Sequence, residues 1–107
     1  MEIRIYSDGN DNQPFLVWLA GLKDAKARAI VQARLLRVQA GNFGDCKPLR
    51  EGVQELRIDH GQGFRVYFSR QGSVLVLLLC GSSKGDQAKA IAKAVEYLND
   101  WKLRGKP

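Results

Sequence analysis

Apolar and polar residues alternate most strictly in the stretch Val53–Ser69, VQELRIDHGQGFRVYFS. Leu56, Ile58, Phe64, Val66 and Phe68 fall on one side of the pattern, and Glu55, Arg57, Asp59, Arg65 and Tyr67 on the other. This period of two, interrupted at His60-Gly61-Gln62, predicts a β-hairpin in which Gly61 or Gly63 can take a positive φ. Pairing the apolar sets fixes the register, because a slip of one residue turns a whole hydrophobic set to solvent. Leu56 then faces Val66 and Ile58 faces Phe64, so Arg57 must face Arg65 and Glu55 must face Tyr67. Two arginines opposed across a strand pair repel, by roughly 0.2–1 kcal/mol relative to a neutral pair. A fold has no need of that arrangement, whereas a site for a polyanion does.

The remaining pattern surrounds this hairpin. Glu2–Tyr6 alternates and predicts a short strand. Ser7–Asn12 is a cluster of turn formers, and Asp11 or Asn12 can cap a helix with Pro14 in its first turn. Phe15, Trp18, Leu19 and Leu22 recur there at helical spacing, and Trp18 reads as an anchor for the core or a partner. Asp24 is a second capping candidate, for a helix over Ala25–Ala40 with Ala27, Ile30, Val31, Leu35 and Val38 inward and Gly41 beyond its end. Asn42–Gly52 reads as a loop. Ser73–Cys80 is apolar without alternation, as in a strand covered on both faces, and its register against the hairpin is left open. A polar loop, Gly81–Gln87, leads to a last helix capped by Asp86 or Ser83, with Ala88, Ile91, Ala92, Val95, Leu98 and Trp101 as its core face. The predicted order is β-α-α-β-β-β-α. It describes one α+β domain over residues 1–107, an antiparallel sheet packed against helices.

Composition narrows the partners. Of 107 residues, 45% are hydrophobic and 26% charged, which suits a globular chain and not a disordered one. The net charge of +6 and pI near 9.6 point to a nucleic acid or an acidic protein. Cys46 and Cys80 lack metal-ligand spacing and read as structural free thiols. The first residues contain no signal-peptide core, and no apolar run approaches the ~20 residues that span a bilayer. A cytoplasmic protein without membrane contact is expected.

Lys47–Ile91 resembles the bacterial addiction-module killer proteins, HigB-like toxins of the RelE/ParE superfamily. The resemblance rests on Leu49, Glu51, Gly52, Val53, Glu55, Leu56 and Arg57, then Gly63, Arg65, Val66 and Phe68, then Gly81, Lys84 and Gln87. It implies the RelE-like fold, a type II toxin-antitoxin system, and a cognate helix-turn-helix (HigA-like) antitoxin through which alone DNA is contacted. RelE and HigB relatives cut messenger RNA on the ribosome without a metal or other cofactor. ParE relatives instead poison DNA gyrase, and a detoxified relative would bind only its antitoxin.

Metal-free RNA cleavage needs a base for the ribose 2′-hydroxyl, an acid for the leaving oxygen and cations around the phosphate. By resemblance, Arg65 holds the scissile phosphate and Lys84 stabilises developing charge. Arg57, opposite Arg65, completes a guanidinium clamp. Lys47 and Arg50 are candidates for tracking the RNA backbone, Gln87 for a phosphate or ribose contact, and Tyr67 for stacking on a base. The chain departs from the family in three respects. Val53 and Glu55 stand where RelE carries lysines, Ala88 and Lys89 begin the last helix without an aromatic, and Ala90 replaces a common acid. The general base is therefore unassigned. Glu55 is a candidate acid or base, or else an ion pair that relieves the Arg57–Arg65 repulsion, and His60 reads as a solvated turn residue.

Overall fold

A computed structural model describes all residues, 1–107. The elements are β1 (Glu2–Ile5), α1 (Pro14–Gly21), α2 (Ala25–Gln39), β2 (Cys46–Arg50), β3 (Val53–Ile58), β4 (Phe64–Gln71), β5 (Leu75–Ser83) and α3 (Gln87–Leu103), with a single 3-10 turn at Lys84–Asp86 before α3. The strands form one sheet in the order β1-β5-β4-β3-β2. The β3–β4 register is the one the alternation dictates: Leu56 pairs with Val66, Ile58 with Phe64, Glu55 with Tyr67 and Arg57 with Arg65.

Two features overturn the predicted order and the all-antiparallel sheet. Cys46–Arg50, inside the expected loop, is a strand antiparallel to β3. Its return is the two-residue turn Glu51-Gly52, both at positive φ (53° and 85°), as a tight hairpin requires. Glutamate is not a usual signal for such a turn, and Pro48 argues against any strand but an edge one. The sheet is also mixed, because β1 runs parallel to β5, Glu2 beside Leu75 through Ile5 beside Leu78. The order is thus β-α-α-β-β-β-β-α.

Helices cover both faces. Phe15, Ala27, Val31 and Val38 from α1 and α2 pack with Leu56, Ile58, Phe64, Val66, Phe68, Val76 and Leu78. On the other face Ala94, Leu98 and Trp101 of α3 pack with Val53, Tyr67, Leu77, Leu79 and Cys80. The inward side of α3 is thus rotated from the expected one, since Ala88 and Ala92 are exposed and Ala94 is buried. Asp24 caps α2 by accepting from the Lys26 N–H at 2.9 Å. No side-chain cap is made at α1 or α3.

The register between β4 and β5 shifts after Tyr67, which pairs with Cys80 while Phe68 pairs with Leu78. The extra residue, Leu79, leaves Leu79 and Cys80 both in the α3-side core. The bulge therefore turns Gly81 to the α1 side. There it lies under Trp18, whose indole would collide with any Cβ at that position. Trp18 is a core anchor, tilted against Phe15 and edge-on to Phe64. No helix is long and apolar enough to cross a membrane.

Candidate anion site

The polar set of the hairpin lies on the α3 side of the sheet. Lys47, Glu55, Tyr67 and Cys80 form one row across β2, β3, β4 and β5, and Arg57, Arg65 and Ser82 form the next. Glu55 is buried, and its carboxylate stands 3.7 Å from Arg57 Nε and 4.0 Å from both Lys47 Nζ and Arg65 Nε. Those are Coulombic contacts, not hydrogen bonds. The Nε atoms of Arg57 and Arg65 are buried with no hydrogen-bond partner. An unpartnered buried donor costs about 1–3 kcal/mol, and the Glu55 carboxylate beside both offsets part of that cost. Arg65 is held by a bond from Nη1 to the Phe64 carbonyl, at 3.0 Å, while about two-fifths (39%) of the Arg57 side chain is open to solvent.

Arg57 is fixed from behind by a residue the apolar pattern did not single out. Arg34 of α2 is buried and donates from Nη1 to the Arg57 carbonyl (2.7 Å) and from Nη2 to the carbonyls of Phe43 (3.0 Å) and Asp45 (3.3 Å). Burial lowers its pKa, and the nearby Arg37 lowers it further. The Arg57 N–H donates to the Asp45 carbonyl at 2.9 Å, and Asp45 Oδ1 stands 3.6 Å from Arg57 Nε. Arg34 occupies an inward helical position four residues before Val38 and three after Val31. A charged residue inside an apolar stripe was the available signal.

The other expected site residues divide. Lys84 is exposed in the 3-10 turn, and its N–H donates to the Gly63 carbonyl at 3.0 Å. Its stem and Arg65 Nη1 both border Gly63, where a Cβ would stand 3.4 Å from Lys84 Cβ and 3.8 Å from Arg65 Nη1. Lys47 is half exposed at the cluster's other side. Arg50 lies at the far end of the hairpin, paired with Val53, roughly 13 Å along the strand from Arg57. It joins Leu49, Ala88 and Ile91 around a separate cavity of about 380 Å³. Gln87 is the half-buried first residue of α3, outside the two rows.

Tyr67 does not fit its expected role in stacking. It is fully buried, and its hydroxyl pairs with Ser82 Oγ at 3.0 Å. Burial raises its pKa and the Glu55 charge adds to this, against the Ser82 bond. The phenol is a neutral floor to the site, packed into the α3-side core. His60 stacks on Phe64, on the opposite face, with Nε2 3.2 Å from Asp24 Oδ2. It cannot serve the arginine pair. Cys80 is buried, its Sγ–H aimed at the Ala90 carbonyl, and burial pushes its pKa up to about 12. A thiol so held is not a nucleophile at neutral pH.

The arrangement can bind and stabilise an anion, with cations from three strands and one turn around a single buried carboxylate. No protein-family model matches the chain. An uncharacterized protein of Haemophilus influenzae is 53% identical over 77 residues, which take in 72% of this chain and 78% of that protein. The chain therefore belongs to the same family as this uncharacterized H. influenzae protein.

Proposed function

We propose that the Arg57–Arg65 face binds RNA phosphate, and that the protein is the toxin of a type II toxin-antitoxin pair. In this reading it is a cytoplasmic, ribosome-dependent mRNA endoribonuclease that needs no metal, restrained by a helix-turn-helix antitoxin. The observation that carries the reading is the pair of opposed guanidinium groups on adjacent strands, with 39% of the Arg57 side chain open to solvent. A phosphate can accept from both, and its negative charge offsets the repulsion between them. Lys84, beyond Gly63 at the same end of the hairpin, supplies a further cation for charge on a phosphorane. The resemblance of Lys47–Ile91 to the killer proteins adds the toxin role.

Expression without the antitoxin should arrest growth and translation, with new 5′ ends mapped within messages on translating ribosomes. Arg65→Ala should abolish both effects while the protein still accumulates folded. Arrest with intact messages and stalled replication would replace this reading by a gyrase poison that cuts nothing. One observation favours that second reading: Glu55, the carboxylate nearest the arginines, has only 4% of its side chain exposed, which limits it as a base for a substrate hydroxyl.

A further inference from the structure

The outer edge of β5 is covered along only part of its length. β1 pairs with it from Leu75 to Leu78, and the last bond runs from the Tyr6 N–H to the Leu78 carbonyl at 2.9 Å. β5 continues to Ser83 without a strand on that side. On the inner side the Lys84 N–H donates to the Gly63 carbonyl. Antiparallel alternation then points the main-chain groups of Ser82 at β4 and those of Gly81 and Ser83 outward. The Ser83 carbonyl caps the 3-10 turn and accepts from the Ser82 hydroxyl at 2.9 Å, whereas the Gly81 groups and the Ser83 N–H meet no main-chain group of the protein.

The opposite edge of the sheet is protected. β2 carries Pro48, which has no N–H, between Lys47 and Leu49, and its pairing is irregular between Pro48 and Arg50. Such features discourage an added strand. The β5 overhang has no proline, its one irregularity is the bulge at Leu79 next to the end of β1, and it opens into a cavity of about 770 Å³ between α1 and α3. Pro14, Val17 and Trp18 of α1 line one wall, and Val17 is 70% exposed. Lys89, Lys93 and Tyr97 of α3 line the other.

We propose that this slot receives an extended segment of a partner protein, which joins the sheet beside Leu79–Ser83. The overhang is roughly 16 Å long, room for about five residues. Alternate side chains of an added strand point to opposite faces. One set meets the apolar wall of α1 and the other meets the two lysines of α3, so the partner segment alternates apolar and acidic residues. The two carboxylates of the rim are already engaged. Asp8 accepts from the N–H groups of Asn10 and Asn12, and Asp86 accepts from the Ser83 hydroxyl. Lys93 also stands 3.8 Å from Glu96, an exposed pair too weak to neutralise the wall. The inference stands on the strand edge and does not depend on RNA cleavage.

The test uses the full chain, isotope-labelled for amide NMR, and three short peptides as probes. One alternates valine and glutamate, one alternates valine and lysine, and the third is the valine–glutamate peptide N-methylated on its bonding amides. The valine–glutamate peptide should shift the Gly81 and Ser83 amides and slow their exchange, and should bind at least about tenfold tighter than either of the others. Lys89→Glu with Lys93→Glu, both on the exposed side of α3, should reverse the order of the first two peptides without changing the thermal melt. Absence of binding, equal binding of all three, or perturbation confined to other strands would overturn the proposal. So would a single-stranded oligoribonucleotide that displaces the peptide from Gly81 and Ser83, since the slot would then be a nucleic-acid surface.

Discussion

Arg57 and Arg65 stand directly opposite one another on β3 and β4, each with a buried Nε that has no hydrogen-bond partner. Glu55 lies 3.7 Å from one and 4.0 Å from the other, near enough to moderate their repulsion and too far to bond either. The pair is thus neutralised in part and left with donors free.

Removal of either guanidinium should remove anion binding before it removes the fold. Arg65→Ala is expected to lower RNA cleavage on translating ribosomes by about 10²–10³-fold, the scale for losing one donor that acts on transition-state charge. Arg65→Lys should recover less than half of the lost free energy, because an ammonium keeps the charge without the planar fork. Single-turnover cleavage assays on stalled ribosomes measure both. Full activity in the alanine variant would remove Arg65 from the site.

Glu55→Gln separates a counter-ion from a proton acceptor. The variant keeps the shape but leaves the arginines without their buried partner, so urea unfolding should show a loss of about 1–3 kcal/mol. RNA affinity should rise, and the salt dependence of binding should steepen by about one phosphate contact. Filter binding at several salt concentrations reads both quantities. Weaker binding in the variant would show that Glu55 organises the arginines instead of competing with the phosphate.

Arg34 positions Arg57 through its carbonyl, so Arg34→Met should damage stability and site together. The Phe43 and Arg57 carbonyls lose the Arg34 donor, while the Asp45 carbonyl keeps the Arg57 N–H, and the expected cost is about 2–3 kcal/mol in urea unfolding with little change in slope. RNA affinity at a temperature where the variant is folded should also fall. Unaltered affinity would make Arg34 a purely structural residue.

Stability should decline on the alkaline side from about pH 9. Burial raises the Cys80 thiol from 9.0 to about 12. Burial, then the bond to Asp100, raises Tyr6 from 10.0 to about 12. Both groups become anions on losing a proton, and the folded state retains protons that the unfolded chain releases. Their contribution is fully present below their unfolded pKa values and is lost as pH rises towards about 12. Cys80→Ala should flatten the early part of the decline and Tyr6→Phe the later part, as followed by urea midpoints across that range. At neutral pH a thiol reagent should label Cys46, which is partly exposed, well before Cys80.

Much of the site was legible because its hairpin has two unlike faces. Strict alternation forced Arg57 beside Arg65 and Glu55 beside Tyr67, and the structure holds that register. Alternation says which side chains share a face but not how deeply each is covered. Tyr67 and Arg65 lie on the same face, yet Tyr67 is sealed under Ser82 and α3 while Arg65 lies at the margin. Arg34 shows in the pattern only as a charge inside an apolar stripe, and its role does not, because its partners are main-chain carbonyls of the 43–57 segment.

The sequence by itself determined the hairpin, its register, the opposed arginines and the two longer helices, since each depends on periodicity within a short span. Tertiary structure alone decided the strand at Cys46–Arg50, whose polar residues become a strand only because β3 offers main-chain partners. It also decided that β1 lies parallel to β5, a pairing across some 70 residues that no local pattern encodes. The bulge at Leu79 is the third such decision. An apolar strand covered on both faces accepts either parity, and packing chose the one that places Gly81 under Trp18 and Ser82 beside the anion site. Only there does the shape of the fold, and not the pattern of the chain, settle what surrounds the arginine pair.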